Sequence, residues 1–168
     1  MGSFLRRKRL LFSPSESAYE LALRFLATRP RSVAEVRRRL KRGSYSPDIQ
    51  EETVTRLQSA GWLSDPEFAD YWVSQRNEFR PRGPRALRAE LRQRGVRSEV
   101  ADVAIAQLGG DQEANAYRAG LARAHALSNL DERSFRRTLT AHLLRRGFDF
   151  AAVREAVRQL WDANQLCA

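Results

Sequence analysis

A chain of 168 residues, 42% of them hydrophobic and three of them tryptophan, is long enough to bury a core and too apolar to be globally disordered. Its formal charge of +10 arises from 30 basic against 20 acidic side chains, and every basic residue except Lys8 and Lys41 is arginine. That balance favours polyanions, acidic protein surfaces or anionic membranes as partners. The single cysteine, Cys167, excludes an intrachain disulfide, and no apolar run approaches the ~20 residues of a membrane span.

The opening, MGSFLRRKRLLF, carries a basic cluster from Arg6 to Arg9 beside an apolar segment too short for a signal peptide. Myristoylation would want Ser or Thr where Arg6 stands. Residues 1–15 are therefore read as a mobile basic N-terminal arm, and the chain as a soluble, cytoplasmic protein without a membrane partner.

Beyond the arm, period-two alternation is scarce and helical spacing is everywhere. The spacing predicts helices over 16–28, 33–42, 47–60, 66–78, 84–94, 98–108, 111–127, 132–146 and 150–163. Ser32 with Glu35 has the form of a capping box. Ser46-Pro47, Asp65-Pro66 and Gly83-Pro84 place proline in a first turn, where its missing N–H costs nothing. Gly43, Gly61, Gly95 and Gly147 follow helical runs, at positions where a left-handed cap favours glycine.

The helices group in threes. Leu40, Leu91 and Leu143 coincide at offsets of 51 and 52 residues, with Val36, Leu87 and Leu139 one turn upstream and a glycine shortly after each. Ile49, Val100 and Val153 open third helices that close with Leu57, Leu108 and Leu160. First helices show an aromatic and aliphatic face: Tyr19, Ala22, Leu23 and Leu26; Phe68, Tyr71, Trp72 and Gln75; Tyr117, Leu121 and Ala124. The expected fold is all-α: three tandem three-helix repeats, 16–63, 64–109 and 110–168, in an elongated, curved, solenoid-like array.

On a helical wheel Arg85, Arg88 and Arg92 form one flank beside the Leu87/Leu91 stripe. Arg37 and Lys41 hold the places of Arg88 and Arg92 in the first repeat, while Thr140 and Leu144 hold them in the third, where only Arg137 is basic. Arg29 and Arg31, then Arg80 and Arg82, add charge in the loops before the second helices. Cations at helical spacing track phosphates with little sequence preference, and arginine pairs equally well with carboxylates. The residues alone leave DNA and an acidic protein groove as equal candidates.

No catalytic constellation emerges. His125 and His142, the only histidines, lack metal-ligand spacing, and no phosphate-binding glycine loop occurs. The acidic groups Asp48, Glu51 and Glu52, then Asp65, Glu67 and Asp70, then Asp131 and Glu132, fall mostly in first turns, where they suit the helix dipole. A two-metal nuclease would need convergent carboxylates. Trp62, Trp72 and Trp161 could stack on bases, although Trp72 sits on an apolar face with Phe68. Neither an enzymatic activity nor a cofactor or metal is expected.

The chain resembles the RecX family of bacterial recombinase regulators. The likeness rests on ALRFLATRPRSVAEVRRRLKRG (22–43), on the junction Gly61, Trp62, Leu63, Asp65, Phe68, Ala69 and Trp72, and on the signature Gly83, Pro84, Leu87, Glu90, Leu91 and Gly95. It implies a non-enzymatic modulator that binds the RecA filament as a monomer. Such a modulator limits filament extension, ATP hydrolysis, strand exchange and coprotease activity, with weak and largely nonspecific binding of single- and double-stranded DNA. Arg37, Lys41, Arg80, Arg82, Arg85, Arg88 and Arg92 are the expected RecA- and DNA-binding residues. Two features depart from the pattern: the first repeat is one residue shorter between Leu40 and Gly43, and the third lacks the basic face, leaving Leu144 as an exposed contact. The competing reading is a stand-alone helix-turn-helix protein whose basic second helix reads a DNA groove.

Overall fold

The structure, a computed structural model, describes residues 13–166. Among them lie nine helices and no strand: α1 (Pro14–Leu26), α2 (Val33–Arg42), α3 (Pro47–Ser59), α4 (Asp65–Phe79), α5 (Pro84–Gln93), α6 (Ser98–Leu108), α7 (Gln112–His125), α8 (Glu132–Arg145) and α9 (Phe150–Leu166). The expected arm lies outside the described residues up to Phe12, as does Cys167. Its last residues belong to α1 instead, because the Ser13 side chain accepts from the Glu16 N–H and Pro14 occupies the first turn. No described helix is long and apolar enough to cross a membrane.

The helix starts follow their cap chemistry. Ser32 accepts from the Glu35 N–H and Glu35 reaches back to the Ser32 N–H, completing the capping box, and Ser46 caps α3 ahead of Pro47. The helix ends required one correction. Gly95 and Gly147 adopt the left-handed conformation, at φ 83° and 87°, but Gly43 does not: its φ is −80°, and Ser44 takes the position at φ 61°. The turn after α2 is therefore as long as the others, not one residue shorter. In each case the next residue donates back to the leucine of the preceding helix: Tyr45 to Leu40, Val96 to Leu91, Phe148 to Leu143. This is the Schellman closure, with its apolar side chain folded onto the core.

Two compact units result, one reaching Ser64 and one beginning at Asp65. In the first, Ala18, Ala22, Val36, Leu40, Val54 and Leu57 form a core of fully buried side chains from α1, α2 and α3. The second unit holds two clusters. One gathers Phe68, Ala69, Val73, Leu87, Leu91 and Val96; the other gathers Phe135, Leu139, Leu143, Phe148, Val153 and Leu160. Leu87 and Leu91 have no exposed surface, so truncating either to alanine should cost about 2–5 kcal/mol.

The first helices pack differently from expectation. On α4 the buried face is Phe68, Ala69 and Val73, while Tyr71, Trp72 and Gln75 are only half-buried. On α7 the inward face is Ala116, Gly120 and Ala124, and Leu121 is exposed. A Cβ on Gly120 would stand 2.7 Å from Leu160 Cδ1, so a larger residue there requires the Leu160 side chain of α9 to shift.

Within the second unit the two clusters are joined by backbone. The Gly83 N–H donates to Arg146 O at 3.0 Å and the Arg85 N–H to Gly147 O at 3.3 Å. A Cβ on Gly83 would lie 2.2 Å from the Gly147 carbonyl, and one on Gly147 2.4 Å from the Ala86 nitrogen. Only glycine on both strands of this crossing permits such an approach. The Arg146 side chain completes the seam by donating to Pro81 O at 3.1 Å. Burial, and then the neighbouring Arg82 and Arg80 guanidiniums, pull the Arg146 pKa below the usual arginine range.

Candidate polyanion-binding groove

Helix α5 buries Leu87 and Leu91, and one flank of the helix is left facing outward as an arginine row. Arg85, Arg88 and Arg92 line a groove of about 310 Å³ with Ala89 and the residues Val96, Ser98, Ala101 and Asp102 from α6 and the turn before it. Three guanidiniums thus share the groove with one carboxylate. Arg88 Nε stands 2.5 Å from Asp102 Oδ1, in a pair that is about half exposed on both sides. Such a pair contributes only about 0–1 kcal/mol to stability, while holding the guanidinium at the groove wall. Arg92 is exposed, and Arg85 donates from Nη2 to Leu144 O at 2.7 Å.

The unit ending at Ser64 carries the same device. Arg37 Nη2 lies 2.8 Å from Glu51, and Lys41 is exposed one turn further along α2. Each arginine is followed fourteen residues later by its carboxylate, so Arg37–Glu51 and Arg88–Asp102 are equivalent pairs. In the last three helices the matching positions are Thr140 and Arg154, which cannot form the pair. Glu51, expected among the first-turn carboxylates, pairs instead with an arginine of the neighbouring helix. The common spacing of the two pairs was the signal that could have identified both acids.

Of the other expected site residues, Arg82 shares a further groove with Arg85 and Arg145, while the remaining loop arginines make other contacts. The loop arginines Arg29 and Arg31 brace their own loop: Arg29 pairs with Glu35 at 3.1 Å and Arg31 stacks 4.0 Å from the Phe25 ring centre. Arg82 Nε is buried 3.6 Å from Glu90 Oε1 without a hydrogen bond, and Arg80 lies exposed beside Phe79. Glu90 organises this second cluster, accepting from Trp72 Nε1 at 2.8 Å and from Arg76 Nε at 2.7 Å. Arg94 and Arg76 stand 3.7 and 4.5 Å from the centre of the Trp72 ring, which also stacks on Phe68. Trp161 packs edge-on against Phe135, whereas Trp62 is 64% exposed. Leu144 is not the exposed contact expected of it; it is half-buried against the last core cluster.

His142 is a flank residue of α8. Burial, with the nearby Arg146, Arg123 and Arg145, lowers its pKa from the ordinary 6.5. Among the described residues no group of His, Cys, Asp and Glu side chains gathers as a metal site would.

Fold and site define a class: an all-α protein of repeated helix triplets, with a basic groove carried on the second and third helices. Two family models match it, the first three-helix domain of RecX over residues 18–57 and the second over 64–105. The chain is 36% identical over 148 residues to the regulatory protein RecX of Mycobacteroides abscessus, spanning 87% of this chain and 72% of that one. It is 32% identical to the regulatory protein RecX of Prosthecochloris aestuarii over 88% of this chain and 96% of that one. The chain belongs to the RecX family. In fold it is similar to the crystal structure of RecX from Lactobacillus salivarius, with a TM-score of 0.75 at 20% identity over 88% of this chain and 96% of that one.

Proposed function

We propose that this protein is a non-enzymatic, monomeric regulator that binds the RecA recombinase filament. Binding limits filament extension and with it ATP hydrolysis, strand exchange and coprotease activity. The observation that carries this reading is the repeated basic device: Arg85, Arg88 and Arg92 in one groove, and Arg37 with Lys41 at the matching places of the first unit. A RecA–DNA filament offers both carboxylates and phosphates, and guanidiniums serve either. The surplus of cation over carboxylate in the α5–α6 groove supports binding to such a partner, with weak, salt-sensitive contacts to DNA alone. The three-repeat division at 16–63, 64–109 and 110–168 is part of the proposal, with the first two repeats supplying the charge.

The test is RecA ATPase on single-stranded DNA, titrated with the wild-type chain and with the double variant Arg88→Glu, Arg92→Glu. Wild type suppresses turnover at amounts near equimolar, and the variant, folded by circular dichroism, needs at least about tenfold more, since charge reversal at two interface cations costs well over 1.4 kcal/mol. Unaltered ATPase with the wild-type chain sinks the recombinase assignment; equal inhibition by the folded variant sinks the assignment of this face.

A further inference from the structure

The last two turns of α4 and the residue after it present a second groove, of about 300 Å³, that the basic row does not use. Its walls are Tyr71, Trp72, Gln75, Arg76, Phe79 and Arg80, none of which lines the α5–α6 groove. Three aromatic rings, one amide and two guanidiniums make up this lining; it has neither an aliphatic side chain nor a carboxylate. Phe79 is 68% exposed, so its ring is open to a partner at the groove. Tyr71 and Phe79 lie two turns apart on one side of α4, about 12 Å along its axis, with the Gln75 side chain between them in sequence. Trp72 is held in place by Glu90 and by two arginines, which keeps the middle of the groove rigid.

From this combination we propose that the α4 groove stacks unpaired nucleobases of a single strand, with Phe79 and Tyr71 as the open platforms and Arg80 on the phosphate. An apolar peptide anchor would find no aliphatic floor here, and an acidic peptide would have no use for exposed rings. A nucleotide uses every kind of group present: the base meets a ring, its edge meets the Gln75 amide, and the phosphate meets a guanidinium. Arg80, expected with the basic face, belongs to this site. The site acts through rings and is separable from the recombinase-binding row, which acts through charge.

The experiment compares binding of a labelled thymidine oligonucleotide with that of an abasic strand of equal length, which keeps the phosphates and removes the bases. Wild type prefers the thymidine strand by about tenfold or more. Phe79→Ala reduces that preference to about twofold or less and leaves affinity for the abasic strand unchanged, while Phe79→Trp restores it. The double variant at Arg88 and Arg92 keeps the preference, so a failure here is distinct from a failure in the ATPase titration. Equal binding of the two strands by wild type overturns the proposal and points to a protein as the occupant. A preference that survives both Phe79→Ala and Tyr71→Ala, or an equal loss on both strands in Phe79→Ala, overturns it as well.

Discussion

Arg85 Nη2 donates to the main-chain carbonyl of Leu144 at 2.7 Å, and that carbonyl also closes the end of α8 by accepting from the Gly147 N–H. One arginine of the basic row therefore fastens α5 to the turn after α8 while its neighbours Arg88 and Arg92 face the groove. Arg85→Ala should lower stability by about 0.5–1.5 kcal/mol, whereas Arg92→Ala should leave it unchanged within about 0.5 kcal/mol. Both should weaken partner binding. Urea denaturation of the two variants checks this, and equal stability for both would reject the fastening role.

The crossing of Gly83 and Gly147 is the least tolerant point of the second unit. Gly147 has φ 87°, and an added Cβ would come within 2.6 Å of Ala86 Cβ. Gly147→Ala should destabilise by about 2–4 kcal/mol, from left-handed strain together with the clash. Near-wild-type thermal melting of this variant would mean that the crossing opens at little cost.

At the matching turn of the first unit, Ser44 holds the same conformation at φ 61° without being glycine. Ser44→Gly relieves the Cβ strain but loosens the unfolded chain, for a net gain of about 0.5–1 kcal/mol. A calorimetric melt should show the rise; a fall would indicate that the exposed Ser44 side chain supports the turn.

His142 gives the fold a pH dependence. Its folded pKa lies below the ordinary 6.5, chiefly through burial. The unfolded chain therefore binds its proton first as pH falls, and stability is full above 6.5 and lost between that value and the folded pKa. Melting temperature should drop from neutral pH to about pH 5, and His142→Gln should flatten that drop. An unaltered pH profile in the variant would assign the loss to other groups.

Much of this molecule was legible in its residues because the signals are local. Apolar spacing of 3.6, Ser32 with Glu35, and Ser46 with Pro47 each act within one or two turns, and each helix formed where its own stretch specified it. The site was only partly legible. Wheel geometry placed Arg85, Arg88 and Arg92 on one flank, and they do share a groove; of the loop arginines expected beside them, Arg82 meets Arg85 in a further groove and Arg80 lines the α4 groove. Their placement follows a loop tied to the turn after α8 by Arg146 donating to Pro81 O, a contact that no local signal describes.

Taken alone, the sequence determined the helices, their periodic recurrence and the inward leucines, because backbone caps and helical period depend on neighbours three or four residues away. Tertiary structure decided which arginines remain for a partner. Asp102 lies fourteen residues from Arg88 and the Leu144 carbonyl fifty-nine from Arg85, so both partners arrive only when helices pack. Packing also turned Ala116 and Gly120 fully inward, leaving Tyr117 at the edge of the cluster and Leu121 exposed.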